Sequence, residues 1–421
     1  MAHFVILSPP YAGHLLPSLS IGHQLRGLGH EVSLISSEWA SPLVEGFEVA
    51  FRPLPKPAKG GTLFTPLLMF AALIGKTQPI FVREALRKTA LSWLNESVPI
   101  IESLEPDALV VEQYIAAGGT IAEHLEVPFA TLSTALDWRE VPSHPPGYTG
   151  WGYAPGRIAR LRNRAGYRVW QWFMAPTMAA INRWRRRHAM PGLRHVDELL
   201  SRQAQIVQGC AEFDFPRDPT PWRHYGGCLA CGEGRTEGDF PWERLDARPV
   251  VFASLGTLDA RRNRRVLEVM AAACAKLPVQ LVLSHGRWSE REEGVKAGIQ
   301  LAGDPLVVDY APQLRLLERS SIMINHGGIN SVMEALSRGV PQIMFPRADD
   351  QPGTAARAVH AGVALRLPFR RPSEHNLRHA IERLLNEDSF GERARTLQRR
   401  LAATGGVAGA ASFLERTLWR W

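Results

Sequence analysis

Twice along the chain, short apolar runs alternate with helix-length segments, and this double alternation limits the fold more than any other feature. In the first half, an apolar run at 4–7 precedes the loop Ser8-Pro9-Pro10-Tyr11-Ala12-Gly13-His14, a helical stretch through Leu25 and a second run at 31–35, with Gly29 stopping the helix. Runs at 108–111 and 129–132 bracket another helix near 119–126. In the second half, runs at 250–252, 280–284, 306–308, 322–325 and 342–345 alternate with helical patterns at 264–277, 331–337 and 355–361. Strands that are apolar on both faces and separated by helices pair in parallel. The expected fold is α/β, with two doubly wound parallel sheets.

The chain has 421 residues, too many for one ordinary core, which suits this doubling. The expected division is an N-terminal domain over 1–214, a Pro- and Gly-rich linker over 215–245, a C-terminal domain over 246–400, and a helix over 401–421 that returns to the first domain. Residues 136–200 break the alternation with Pro, Trp and Arg, and read as two long helices at 158–173 and 178–190.

Forty-nine Lys plus Arg against 41 Asp plus Glu give a net charge of +8. Nucleic acid, an anionic membrane and a phosphorylated small molecule all fit such a balance. Cysteines are few, and the Cys228-x-x-Cys231 pair lacks the further ligands of a zinc site, so it reads as structural. With no signal-peptide pattern at Met1, the expected location is the cytoplasm. The most apolar stretch, 63–74, contains Pro66 and is too short to span a bilayer.

Ligands of parallel sheets bind beyond the carboxyl ends of strands, so the loops there carry the chemistry. The most informative segment is Ile322-Met323-Ile324-Asn325-His326-Gly327-Gly328-Ile329-Asn330-Ser331-Val332-Met333-Glu334. A strand ends, two glycines admit close backbone approach, and a helix begins whose free N–H groups suit a pyrophosphate. His326 adds a donor, and Glu334, four residues after Asn330 on one helix face, suits vicinal sugar hydroxyls. The loop Ser254-Leu255-Gly256-Thr257 offers hydroxyls and a small turn for phosphate, and Asp349-Asp350-Gln351 offers an acid and an amide for a sugar.

These residues, with Tyr310-Ala311-Pro312-Gln313 and Gly339-Val340-Pro341, resemble the donor-binding signature of GT-B glycosyltransferases: metal-independent enzymes with two Rossmann-like domains facing across a cleft, which glycosylate small lipophilic alcohols. The resemblance spans essentially the whole chain. It implies that Tyr310 stacks on uracil with Gln313 beside the nucleoside. It likewise implies that Thr257, His326, Asn330 and Ser331 hold the diphosphate, Glu334 the ribose, and Asp350 with Gln351 the hexose. Ser254, Gly256 and Gly328 complete the donor set, UDP-glucose is the implied donor, and no metal or other cofactor is implied. No D-x-D pattern of the other major glycosyltransferase fold occurs.

The same resemblance makes His14 the general base, its ordinary pKa near 6.5 suiting proton removal from an alcohol at neutral pH. The family's partner carboxylate is usually Asp, whereas this chain has Glu112, one methylene longer. On the acceptor side, 63–74, Trp138, Trp151, Tyr153, Trp170, Trp172 and Phe173 offer apolar and aromatic surface. The segment 142–151 and its Arg-rich sequel are similar to bacterial carotenoid glucosyltransferases. Arg157, Arg160, Arg162, Arg164, Arg168, Arg183, Arg185, Arg186 and Arg187 interleave with Trp170, Trp172 and Trp184, which suits anionic lipid rather than nucleic acid. The expected activity is inverting glucosyl transfer from UDP-glucose to a hydroxyl of a lipophilic molecule, a carotenoid or terpenoid first. A polyketide, macrolide or flavonoid acceptor is the alternative, and a catalytically silent sugar-nucleotide sensor the rival of another class.

Overall fold

The computed structural model describes residues 1–55, 79–231, 239–256, 260–285 and 301–419. Thr257 and the apolar run 63–74 lie outside them. The first sheet contains β1 (His3–Leu7), β2 (Glu31–Ser37), β3 (Ala50–Leu54), β4 (Ala108–Glu112), β5 (Phe129–Ser133), β6 (Ala204–Val207) and β7 (Arg223–Tyr225), in the order β3-β2-β1-β4-β5-β6-β7. The second contains β8 (Val250–Ser254), β9 (Gln280–Ser284), β10 (Leu306–Val308), β11 (Ser320–Asn325), β12 (Gln342–Met344) and β13 (Ala364–Arg366), in the order β10-β9-β8-β11-β12-β13. Neighbouring strands in both sheets run parallel. This is the double α/β architecture read from the sequence. Strand order reverses between β1 and β4, and again between β8 and β11, which puts one ligand-binding crevice on each sheet.

Helices cover both faces of the first sheet. Phe4 and Ile6 face a cluster with Leu15, Leu19 and Leu25, while Val5 and Leu7 face one with Trp93, Leu94, Met174 and Ile181. Val407, Ala410, Phe413 and Leu414, from the helix Gly406–Leu414 near the C-terminus, join the first cluster. His30 is wedged edge-on between Phe4 and Trp419, each ring 5.1 Å away.

Two local expectations differ from the structure. The segment over 215–245, taken as linker, supplies β7, which pairs with β6 through Gln205, Ile206 and Val207. Three residues are too few to show a periodicity, so only the pairing reveals them. The two helices expected over 158–190 are one helix, Arg157–Arg187, running through Pro176. An interior proline costs about 3 kcal/mol of helix stability. Burial of Met174, Thr177, Met178, Ile181 and Trp184 on either side of it offsets that cost.

A buried ionic seam joins the domains. Arg357, on the helix Gln351–His360, donates to Asp214 at 2.7 Å, and Asp214 also lies 3.1 Å from Arg217 and 3.6 Å from Arg223. Arg223 and Arg217 pair with Asp137 as well. Burial disfavours the charged carboxyls, but the guanidinium charges outweigh it and hold Asp214 and Asp137 below the usual carboxylate range. Phe215 lies under the Arg357 guanidinium at 4.4 Å and stacks on Tyr153 at 5.6 Å. Tyr153 therefore belongs to the domain seam rather than to an acceptor surface. Backbone meets backbone here too, since a Cβ on Gly353 would lie 2.0 Å from the Gly147 carbonyl oxygen.

Candidate active site

His14 follows β1 in the first turn of the helix Ala12–Gly27, and Glu112 ends β4, the strand beside β1 at the switch point. Adjacency of these strands brings the two side chains together across 98 residues of sequence, with His14 Nδ1 3.1 Å from Glu112 Oε1. Thr134, just after β5, was not singled out in the sequence. Its hydroxyl oxygen lies 2.7 Å from His14 Nδ1, and the hydroxyl donates to Glu112 Oε1 at 2.7 Å. The other carboxylate oxygen, Oε2, accepts the Tyr114 N–H at 2.8 Å. Glu112 is fully buried and both its oxygens accept hydrogen bonds, so the proton on Nδ1 faces oxygen and Nε2 is left with a free lone pair.

Burial alone would lower the pKa of His14. The charge and hydrogen bond of Glu112, with the charges of Asp350 and Asp349 across the cleft, outweigh it and raise the imidazole above its ordinary value. The longer Glu112 still reaches His14 directly, and Thr134 bridges the pair.

The donor side is built from the second switch point. Asn325 ends β11 and accepts the Gly327 N–H at 2.8 Å. Its amide donates to Gln342 at 2.7 Å, and Gln342 donates to the Val332 carbonyl at 3.2 Å. This buried chain fixes the loop that opens the helix Ile329–Ser337. Gly328 caps that helix without a side-chain bond, leaving first-turn N–H groups available to an anion. The His326 ring lies between Gly256 and Gly328, where a Cβ would come within 3.3 Å and 2.5 Å of it. Burial, helped by the Arg347 charge, lowers its pKa to about 4, so at neutral pH it is an uncharged N–H donor.

The remaining sequence candidates fall around these two centres. Ser254 ends β8 half-buried, and Ser331 is half-buried in the first helical turn. Tyr310 is 46% exposed. Gln313 donates to Glu334 Oε2, and Glu334 is only 2% exposed, so this carboxylate is tied down rather than open. Asp350 accepts the Leu136 N–H of the first domain at 3.1 Å, and Gln351 Oε1 accepts the Arg347 N–H at 3.0 Å. Asp349 has a left-handed backbone at φ 55°. Desolvation and the Asp350 charge push its carboxyl up to about 6.

On the acceptor side, a narrow pocket beside His14 is lined by Pro9, Pro10, Tyr11, Leu54, Trp93 and Ile115, with the hydroxyls of Ser37, Thr89 and Ser92. A second aromatic path leads away from His14, which meets Tyr114 edge-on at 4.7 Å, while Tyr114 meets Trp138 at 4.8 Å and Trp138 meets Trp170 at 5.3 Å. Phe173 stacks on Trp170 at 5.7 Å. Trp151 is partly exposed and lies under Arg162.

The Arg-rich helix is less uniform than its sequence suggested. Arg185 is buried, donating to Thr120 at 3.1 Å and to Glu123 at 2.6 Å, and Trp184 is buried beside it. The outward face keeps Arg157, Arg160, Arg164, Arg168, Arg183, Arg186 and Arg187, with exposed Ile158, Leu161, Val169 and Trp172 between them. No helix among the described residues is long and apolar enough to cross a membrane.

Two parallel-sheet domains, a carboxylate-backed histidine at one switch point and an amide-rich helix start at the other define a GT-B glycosyltransferase. The chain belongs to the UDP-glucoronosyl and UDP-glucosyl transferase family, whose pattern matches residues 190–401. Zeaxanthin glucosyltransferase of Pseudescherichia vulneris is 30% identical over 99% of this chain and 98% of its own length. The zeaxanthin glucosyltransferase of Pantoea ananas is 28% identical over 99% and 96%. Among solved structures, the calicheamicin glycosyltransferase CalG4 matches with a TM-score of 0.73 at 17% identity, covering 100% of this chain and 99% of that one. The glycosyltransferase of kitacinnamycin matches at 0.71 and 22%, covering 99% of each, and both establish the fold.

Proposed function

We propose that this glycosyltransferase moves glucose from UDP-glucose to a hydroxyl of a carotenoid or related lipophilic terpenoid, with inversion and without a metal. The observation that carries the reading is the His14–Thr134–Glu112 cluster, set across the cleft from Asp350 and the start of the helix Ile329–Ser337. His14 Nε2 takes the proton of the acceptor hydroxyl, whose oxygen attacks the anomeric carbon as UDP departs. One displacement inverts that carbon. Thr134 and Glu112 stabilise the imidazolium, while first-turn amides and His326 stabilise charge growing on the diphosphate, the service a metal supplies elsewhere. Tyr310 offers its face to the base, and Asp350 with Gln351 serves the hexose.

Zeaxanthin glucosyltransferases of similar length support a carotenoid acceptor, as does the apolar and aromatic surface beside the base. An acceptor screen with UDP-glucose and competing nucleotide sugars, read by product mass, tests this. Carotenoid glucoside is the expected product. Glucosides formed only on polyketides, macrolides or flavonoids would replace the acceptor, and product only from another nucleotide sugar would replace the donor.

Such an acceptor resides in lipid, and the outward face of the helix Arg157–Arg187 suits an anionic bilayer, with seven arginines beside an exposed apolar stripe and no acidic residue in the helix. We propose peripheral attachment through this face at the cytoplasmic side of the membrane. Flotation with vesicles of mixed anionic and zwitterionic lipid is expected at low salt and is weakened by salt. Equal flotation with purely zwitterionic vesicles would remove the charge-driven part of the proposal.

A further inference from the structure

Pro17 lies inside the helix Ala12–Gly27 and has no N–H to donate. The carbonyl four residues back, which position 17 would otherwise serve, is that of Gly13, in the peptide joined directly to His14. That carbonyl takes its partner from the other domain, for Asn330 Nδ2 donates to it at 2.6 Å. Asn330 Oδ1 in turn accepts from Gln208 Nε2 at 2.5 Å, and the same nitrogen donates to the Thr134 carbonyl at 2.8 Å. Both amide orientations are fixed, because the Gly13 and Thr134 carbonyls can only accept. Gln208 follows β6 and is 7% exposed. The Thr134 hydroxyl then returns to His14 Nδ1. Side chains from both domains thus close a ring around the histidine, and the missing Pro17 N–H leaves the Gly13 carbonyl without its usual helical partner.

We propose that Pro17 ties placement of the base to docking of the donor-binding domain, by leaving the Gly13 carbonyl open to Asn330, and that Gln208 is the second positioning residue of this coupling. The proposal rests on His14 being the base. When the domains separate, the Gly13 carbonyl loses Asn330, and the Thr134 carbonyl loses the amide that Asn330 holds in place. A sugar nucleotide on an undocked second domain then meets no aligned base, which spares it from idle hydrolysis.

Pro17→Ala restores an N–H that competes with Asn330 for the Gly13 carbonyl. Removing an interior helical proline is expected to preserve or raise the melting temperature, while kcat falls about tenfold or more through misplacement of His14 and the Kd for UDP changes less than about twofold. Gln208→Met, close in volume but without a donor, is expected to lower kcat alike, with some fall in melting temperature because two acceptors lose their donor. The double variant should lose no more than the worse single one, because the ring opens only once. Any of three results would overturn the coupling: kcat of Pro17→Ala within about twofold of the parent, a loss confined to the donor KM, or losses in the double variant that multiply. A parallel fall of melting temperature and kcat in both single variants would also overturn it, making the two residues merely structural. His14→Ala is measured beside them, since retained turnover there would sink the base assignment itself, whatever Pro17 does.

Discussion

Two histidines stand just beyond the ends of switch-point strands, His14 after β1 and His326 after β11, and the protein drives them in opposite directions. Both rings are enclosed, and enclosure alone lowers an imidazole pKa. His14 escapes because Glu112 touches it and Asp349 and Asp350 face it across the cleft. His326 has Arg347 nearby instead, and its pKa falls to about 4. The first has its affinity for a proton raised. The second remains a neutral donor beside the predicted diphosphate. One strand order, used twice, yields a histidine of raised pKa at one crevice and one of lowered pKa at the other, and the difference lies in which charges the neighbouring loops deliver.

The strongest way to break this comparison is to remove each ring in turn. His14→Ala is expected to lower kcat by about 10²–10⁴, the usual worth of a general base, with UDP affinity intact by calorimetry. His326→Ala is expected to cost about 10² in kcat/KM, as loss of a leaving-group donor does, with no movement of the acidic limb of the pH profile. If the limb moves in His326→Ala and stays put in His14→Ala, the roles are reversed.

Glu112→Gln sharpens the electrostatic half of the argument. The unprotonated imidazole is the active form, so activity falls as pH drops through the His14 pKa. Removing the carboxylate charge lowers that pKa, moves the acidic limb to lower pH, and reduces the limiting rate by about tenfold through a less stabilised imidazolium. A limb that moves upward would show that another group sets it. Thr134→Val has the smallest expected effect, a loss of about 1 kcal/mol or a few-fold in kcat from one hydrogen bond. A loss as large as that of Glu112→Gln would mean the hydroxyl carries the interaction and the direct contact of 3.1 Å carries little.

The turn proposed for the donor was legible in the sequence as structure because it is local. Asn325 through Glu334 is one continuous strand-turn-helix, and two glycines beside a helix start imply amide donors without knowledge of other segments. The base side was legible only in part. His14 and Glu112 could be nominated from the loops that end strands, but Thr134 stands 120 residues from His14 and carries no motif. Gln208 was invisible for the same reason, as its meaning depends on Asn330 in the other domain. Tyr153 and Arg185 misled in the opposite sense: an aromatic and an arginine in an exposed-looking stretch turned inward, one to the domain seam and one to Glu123.

Sequence by itself determined the two doubly wound sheets, the positions of their loops and the donor-side turn, because apolar periodicity and glycine placement act over a few residues of backbone. Tertiary structure alone decided which loops meet. The separation of β1 from β4 and β5, and the docking of Asn330 onto Gly13, arise from sheet order and domain contact, which bring together groups that no local rule relates. The +8 charge shows the same division. Its sign is compositional, whereas its concentration on one outward helical face, with Arg185 withdrawn into the core, is a product of packing.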